Sequence, residues 1–186
     1  MVLGDSLSAG YGLKQGEAWP HLLQHRLDSL GHPYFVVNAS ISGETTRGGL
    51  TRLPTLLEEH RPALVVVELG ANDGLRGLPL EEFGANLQAL VEASTAAGAE
   101  VIVLPMEVPP NYGRAYTDGF RAVFEALPAR FPGVSLTPFF LKDVVLDPAL
   151  MQADGLHPTA AAQARMLDTI WPTIESKLRP PGEAQP

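Results

Sequence analysis

Leu64-Val65-Val66-Val67-Glu68-Leu69-Gly70-Ala71-Asn72-Asp73 is the stretch on which the fold turns. Apart from Glu68, its first six residues are apolar at successive positions, not alternate ones, and the run is rich in β-branched valine. A strand of that kind is buried on both faces, which is the situation of a parallel strand covered by helices above and below. Gly70 then breaks the run and opens a polar turn. Four other short runs read the same way: Val2–Leu3, Tyr34–Val37, Val101–Leu104 and Val134–Leu136.

Between these runs, apolar residues recur at helical spacing. Leu22, Leu23, Leu27 and Leu30 share a face; so do Leu50, Leu53 and Leu57, then Phe83, Leu87, Leu90 and Val91, then Phe120, Val123, Phe124 and Leu127. A last helix is expected from Pro158, a favoured first-turn residue. It carries Leu167, Ile170, Trp171, Ile174 and Leu178, and Pro172 should kink it. The alternation predicts a three-layer α/β/α sandwich on a five-stranded parallel sheet. Residues 1–179 are expected to form one domain, and the Pro- and Gly-containing tail 180–186 to be disordered. No repeat or linker interrupts the pattern.

Composition narrows the classes of function. The 186 residues suffice for one sizeable core. Lys and Arg number 13 against 21 Asp and Glu, giving a net charge of −8, and no basic cluster stands out, so nucleic acid is not an expected partner. The absence of Cys excludes disulfides, thiol nucleophiles and thiolate metal sites. No apolar run is long enough to span a bilayer, so stable membrane insertion is not expected. No secretory signal is visible, because Ser6 would fall inside it. Only Met1-Val2-Leu3 precedes the first turn, which points to residues upstream of Met1 in the full-length protein.

In open parallel sheets, ligands sit outside the carboxyl ends of the strands. Four polar segments converge there: Gly4-Asp5-Ser6-Leu7-Ser8, Ser42-Gly43-Glu44, Gly70-Ala71-Asn72-Asp73 and Asp154-Gly155-Leu156-His157. Together they hold the parts that acyl transfer needs. Ser6 is the candidate nucleophile. His157 is the base, and Asp154 is close enough in sequence to bend back and hold its imidazole. The backbone N–H groups of Ser6 and Gly43 and the Asn72 side-chain amide are the candidate oxyanion donors. Each segment alone has an ordinary explanation: Ser is a preferred helix N-cap, Asp-Gly a common turn, and Asn72-Asp73-Gly74 a plain loop. Their coincidence in one chain favours the chemical reading. Asp5 and Asp73 are expected to shape their loops, with Glu44 and Glu68 in support. His21, His25, His32 and His60 are read as surface residues without metal-ligand spacing, and no metal is expected.

The stretches Leu3-Gly-Asp-Ser-Leu-Ser-Ala-Gly-Tyr11, Asn38-Ala-Ser-Ile-Ser-Gly-Glu-Thr45, Val67-Glu-Leu-Gly-Ala-Asn-Asp-Gly74, Pro110-Asn-Tyr-Gly113 and Asp154-Gly-Leu-His-Pro158 resemble the SGNH (GDSL) hydrolase family. Within it, the match is closest to bacterial periplasmic acyl-CoA thioesterases, lysophospholipases and arylesterases. The similarity runs from Val2 to about Leu178. It implies a flavodoxin-like fold, a Ser–His–Asp triad and no cofactor, and it carries over Ser6, Gly43, Asn72, Asp154 and His157 at matching positions. It also implies a periplasmic location; a chain complete as given would be cytoplasmic.

The expected partners are small-molecule acyl esters and thioesters, lysophospholipids among them, and the expected state is a monomer. Leu75, Leu78 and Leu80, with Val108, Pro109 and Pro110, leave carboxyl ends of strands beside Ser6 and are expected to wall a groove for medium to long acyl chains. Two alternatives stand beside this reading: a carbohydrate acetyl esterase, and a catalytically silent binding domain on the same fold.

Overall fold

The computed structural model describes residues 1–179; the tail expected at 180–186 lies outside them. Four strands form the sheet: β1 (Val2–Gly4), β2 (Leu64–Glu68), β3 (Glu100–Val103) and β4 (Val134–Leu136). All neighbours are parallel, in the order β1-β2-β3-β4. Leu3 pairs with Val67, Val67 with Val103, and Val103 with Leu136, so one apolar row crosses the sheet.

The expected fifth strand, Tyr34–Val37, does not form. Its segment nevertheless runs along the outer side of β1, where Val2 N–H donates to Val37 O at 2.8 Å, Ala39 N–H to Val2 O at 2.9 Å, and Ile41 N–H to Gly4 O at 3.0 Å. A single parallel bridge joins Val2 and Asn38. The physical reason is position. At the sheet edge the segment has only the three-residue β1 to bond, and Phe35 is 90% exposed, so neither a full ladder nor burial on both faces holds it as a strand.

Helices alternate with the strands, as parallel crossovers require: α1 (Ser6–Ala9), α2 (Trp19–Ser29), α3 (Thr46–His60), α4 (Ala71–Leu75), α5 (Leu80–Ala96), α6 (Arg114–Glu125), α7 (Leu127–Arg130) and α8 (Gln163–Glu175). Helix α2 packs against α8, while α3, α5 and α6 pack in succession. The expected stripes face inward, except that Leu30 lies just past the end of α2 and is 46% exposed. Phe83 of α5 stacks on Phe120 of α6 at 4.7 Å between centroids and meets Phe124 edge-on at 5.4 Å. Fully burying a side chain of this size contributes roughly 1.5–3 kcal/mol.

The last helix begins at Gln163, not at Pro158. Pro158 instead bridges Met151, and Gln152 N–H donates to His157 O at 2.7 Å while Thr159 N–H donates to Leu150 O at 2.7 Å. A 3-10 turn at Ala160–Ala162 then leads into α8, which runs through Pro172 to Glu175. The segment given up by the helix directly follows His157 and is tied to the Leu150–Gln152 stretch instead.

Candidate active site

The carboxyl ends of β1 and β2 and two loops deliver the site. Leaving β1, Asp5 caps α1: its carboxylate accepts from Leu7 N–H at 3.0 Å, so the first helical residue, Ser6, is held at the sheet rim. Gly4 must be glycine for steric reasons. A Cβ there would lie 2.7 Å from both Glu68 Oε2 and Ser8 Oγ, and both groups are fully buried. Glu68 ends β2 directly beneath this turn, where its Oε2 accepts from Asp5 N–H at 3.2 Å and from Ser8 Oγ–H at 2.7 Å. Trp19 Nε1–H donates in turn to Ser8 Oγ at 3.1 Å.

The loop Met151–Thr159 brings His157 to Ser6. Ser6 Oγ and His157 Nε2 are 2.8 Å apart, and His157 Nδ1 and Asp154 Oδ2 are 2.7 Å apart. Asp154 also accepts from the backbone N–H of His157 and of Leu156 through Oδ1, at 3.0 and 2.9 Å. The His157 N–H, the ring contact and the Leu156 N–H, in that order, hold the Asp154 carboxyl at about 2. Asp154 is therefore an acceptor only, so Nδ1 carries the proton and Nε2 is left to accept from Ser6.

Two residues that sequence patterns did not single out support this pair. The Tyr11 ring lies against the His157 ring, 4.4 Å between centroids. Gln152 Nε2 donates to both Tyr11 O and Pro158 O at 2.9 Å, tying the two loops together. Neither role has a signal in spacing or composition, because both depend on two loops meeting.

Two further segments carry the other candidate oxyanion donors, Gly43 and Asn72. Neither Ser6 N–H nor Gly43 N–H has a hydrogen-bond acceptor among the described residues. Gly43 takes φ +81°, a conformation that L side chains rarely adopt, and its carbonyl is held by Arg76 Nη2 at 2.8 Å. Asn72 lies in the short helix α4, not in a plain loop. Its Nδ2 donates to Asp5 Oδ2 at 2.9 Å and to Glu44 O at 3.0 Å. Asp73 does shape its surroundings: its two oxygens accept from Thr46 Oγ1 at 2.6 Å and Thr46 N–H at 2.9 Å, which fixes α4 against the start of α3. Glu44 pairs with Arg52.

Two buried carboxyls, Asp5 and Glu68, lie beside the Ser6 turn. Burial raises Asp5 to about 6, against the lowering effect of Leu7 N–H, the His157 charge and Asn72. Burial, and then the Asp5 charge, push Glu68 well above the ordinary range.

A cleft of about 200 Å³ opens beside Ser6, Asn72 and His157. Of the six residues expected to wall it, Leu75 and Pro109 do so. The other four are corrected. Val108 is buried under Gly74, Leu80 packs on Gly119 of α6, Leu78 is turned so that its carbonyl accepts from Tyr116 Oη–H at 2.9 Å, and Pro110 opens an exposed 3-10 turn. Their places are taken by Leu7, Ala71, Met106, Phe139, Leu141, Val145, Met151 and Leu156. The available signal was Phe139-Phe140-Leu141, an apolar triplet just past the carboxyl end of β4.

Among the described residues, no group of three or more His, Cys, Asp or Glu side chains gathers for a metal. One expectation about the histidines is nevertheless corrected. His21 and His25 do have ligand spacing, four residues apart on α2, and their Nε2 atoms are 3.0 Å from each other.

The chain matches the model of the GDSL-like lipase/acylhydrolase family over residues 2–165. It belongs to that family. It is 49% identical over 178 residues to the protein named esterase TesA of Pseudomonas aeruginosa, covering 96% of this chain and 88% of that one. It is 45% identical over 168 residues to the thioesterase 1/protease 1/lysophospholipase L1 of Escherichia coli K12, covering 90% and 79%. Among solved structures, TesA superposes with a TM-score of 0.91 at 49% identity, over 95% of this chain and 98% of that one. The psychrotrophic esterase EstA of Pseudoalteromonas, in a structure inhibited by monoethylphosphonate, does so with a TM-score of 0.90 at 43% identity, over 94% and 95%. The fold is thus that of the SGNH hydrolases in this GDSL-like family.

Proposed function

We propose that this chain hydrolyses carboxylic esters and thioesters through an acyl-enzyme on Ser6. The observation that carries the reading is the continuous contact Ser6 Oγ–His157 Nε2–Asp154 at 2.8 and 2.7 Å. His157 takes the Ser6 proton as Oγ attacks the acyl carbon, and returns it to the departing alcohol or thiol. The N–H groups of Ser6 and Gly43 and the Asn72 amide receive the oxyanion. Water then attacks the acyl-enzyme with His157 again as base. Asp154 stays ionised throughout and stabilises the imidazolium. This set of groups completes the reaction without a cofactor.

The cleft supports an acyl group longer than acetyl. Leu75, Met106, Phe139, Val145 and Leu156 line it on apolar atoms beside the nucleophile, and each buried methylene contributes roughly 0.8 kcal/mol. Single-chain lysophospholipids fit the same description, and the name of the Escherichia coli relative includes that activity. The test is a panel of p-nitrophenyl esters and acyl-CoAs of rising chain length. Octanoyl turnover should exceed acetyl turnover in kcat/KM. A preference for acetyl would replace this reading with the acetyl-esterase one, and no turnover of any ester would point to a silent binding domain.

A further inference from the structure

His21 and His25 stand one turn apart on the exposed side of α2, opposite the buried Leu23 and Leu27. Positions i and i+4 share a helical face, but the two rings do more than share it. Their Nε2 atoms converge to 3.0 Å, with the ring centroids 4.7 Å apart and the planes at 53°. Such convergence leaves one neutral imidazole donating to the other, and places both nitrogens where a single ion can bind them.

We propose that His21 and His25 form a bidentate site for a divalent transition ion, with Cu2+ preferred and Ni2+ next. Imidazole nitrogen is the donor these ions favour, and their affinities follow that order. The bite favours them too. With metal–nitrogen bonds of about 2.0–2.1 Å, two ligands at a tetrahedral angle are about 3.3 Å apart, and two at a right angle about 2.9 Å apart. The observed 3.0 Å is nearer the right angle that tetragonal ions adopt.

The surroundings leave room for the rest of the coordination shell. Gly16 faces His21, and a Cβ there would already lie 3.4 Å from His21 Nε2. A longer side chain would occupy the place of the ion's waters. The nearby acids in the sequence are engaged elsewhere: Glu17 accepts from Lys14 N–H and Asp28 from Gln24. Both imidazoles are therefore indispensable, and water completes the shell. The site uses none of the residues assigned to hydrolysis.

The experiment is calorimetric titration of untagged protein with Cu2+ alone and Ni2+ alone, with electron paramagnetic resonance on the Cu2+ form. One equivalent of Cu2+ should bind, more tightly than Ni2+, with hyperfine coupling to two imidazole nitrogens. His21→Ala and His25→Ala should each weaken Cu2+ binding at least tenfold. Both positions are exposed on a helix, so the fold is retained. His157→Ala should leave Cu2+ binding unchanged. Binding should also weaken on acidification, because the ligands must be neutral. No Cu2+ binding, a single coupled nitrogen, undiminished binding in either Ala variant, or loss in His157→Ala would overturn the site.

Discussion

The Asn72 amide is hydrogen-bonded to the buried Asp5 carboxyl at 2.9 Å across 67 residues of sequence. Its second hydrogen goes to Glu44 O at 3.0 Å. An amide nitrogen has two hydrogens, so both are in use before any substrate arrives. The N–H groups of Ser6 and Gly43, by contrast, have no acceptor among the described residues. On the proposed mechanism an oxyanion would therefore meet two open donors and one that has to exchange a partner. The exchange favours the transition state, where the developing charge outcompetes a neutral carbonyl such as Glu44 O.

Asn72→Ala follows directly. On the proposed mechanism it removes a donor to the developing oxyanion, so kcat should fall about 10²–10³-fold with KM little changed. Steady-state kinetics on one p-nitrophenyl ester checks this. A rise in KM with kcat intact would mean that Asn72 holds the ground state instead.

Asp5 gives a dependence of stability on pH whose sign is set. Its value of about 6 in the fold lies above the ordinary 3.8. The folded chain therefore keeps a proton that the unfolded chain has lost, and the Asp5 contribution to stability declines as pH rises from about 4 to about 6. Asp154 acts in the opposite sense. Held at about 2, it stabilises above the ordinary carboxyl range, and that contribution is lost as pH falls toward 2. Asp5→Asn removes only the first effect. Melting temperatures at pH 4 and pH 7 should show the wild type losing ground relative to the variant on going to pH 7. An equal gap at both values would contradict it.

Gly4→Ala places a methyl group 2.7 Å from Glu68 Oε2 and from Ser8 Oγ, in a region without free space. Overpacking of this kind costs about 1–3 kcal/mol. Because the displaced groups hold the turn that presents Ser6, activity should fall along with stability. Urea unfolding and ester turnover on the same preparation check both. An unaltered midpoint would show that the contact relaxes without strain.

The cleft separates two leucines that sequence alone treats as equals. Leu75 lines it and Leu78 does not. Leu75→Ser should lower the octanoyl-to-acetyl ratio of kcat/KM several-fold, since each methylene contact is worth roughly 0.8 kcal/mol, while Leu78→Ser should leave the ratio near wild type. The reverse order would relocate the acyl path.

The same contrast shows what sequence can reveal and where it stops. Val65–Val67 are legible as a central strand because both sheet faces demand apolar residues there. Tyr34–Val37 are nearly as apolar but lie at the edge, and no local signal marks an edge. Asp154 and His157 are legible because their bond spans three residues. The Glu68 contacts, the Tyr11 ring on His157 and the Met106 and Phe139 walls come from segments far apart in the chain, so only the assembled fold reveals them. The four misassigned groove residues are apolar, as expected, but Leu80 faces α6 from the start of α5, and Leu78, Val108 and Pro110 lie in connecting segments whose course no local signal gives. His21-Leu-Leu-Gln-His25 shows the reverse: the spacing is plain in the sequence, but the convergence of the rings is visible only in three dimensions.

Covalent labelling tests the central claim, that Ser6 is the nucleophile activated by His157. A fluorophosphonate should inactivate the enzyme in step with incorporation of one adduct per chain, and mass spectrometry of the proteolytic peptides should place that adduct on Ser6. Folded Ser6→Ala, His157→Ala and the double variant should each lose at least about 10⁴-fold in kcat, without additivity, because the pair acts as one unit. An adduct on another residue, or near-wild-type turnover in folded Ser6→Ala, would contradict the account.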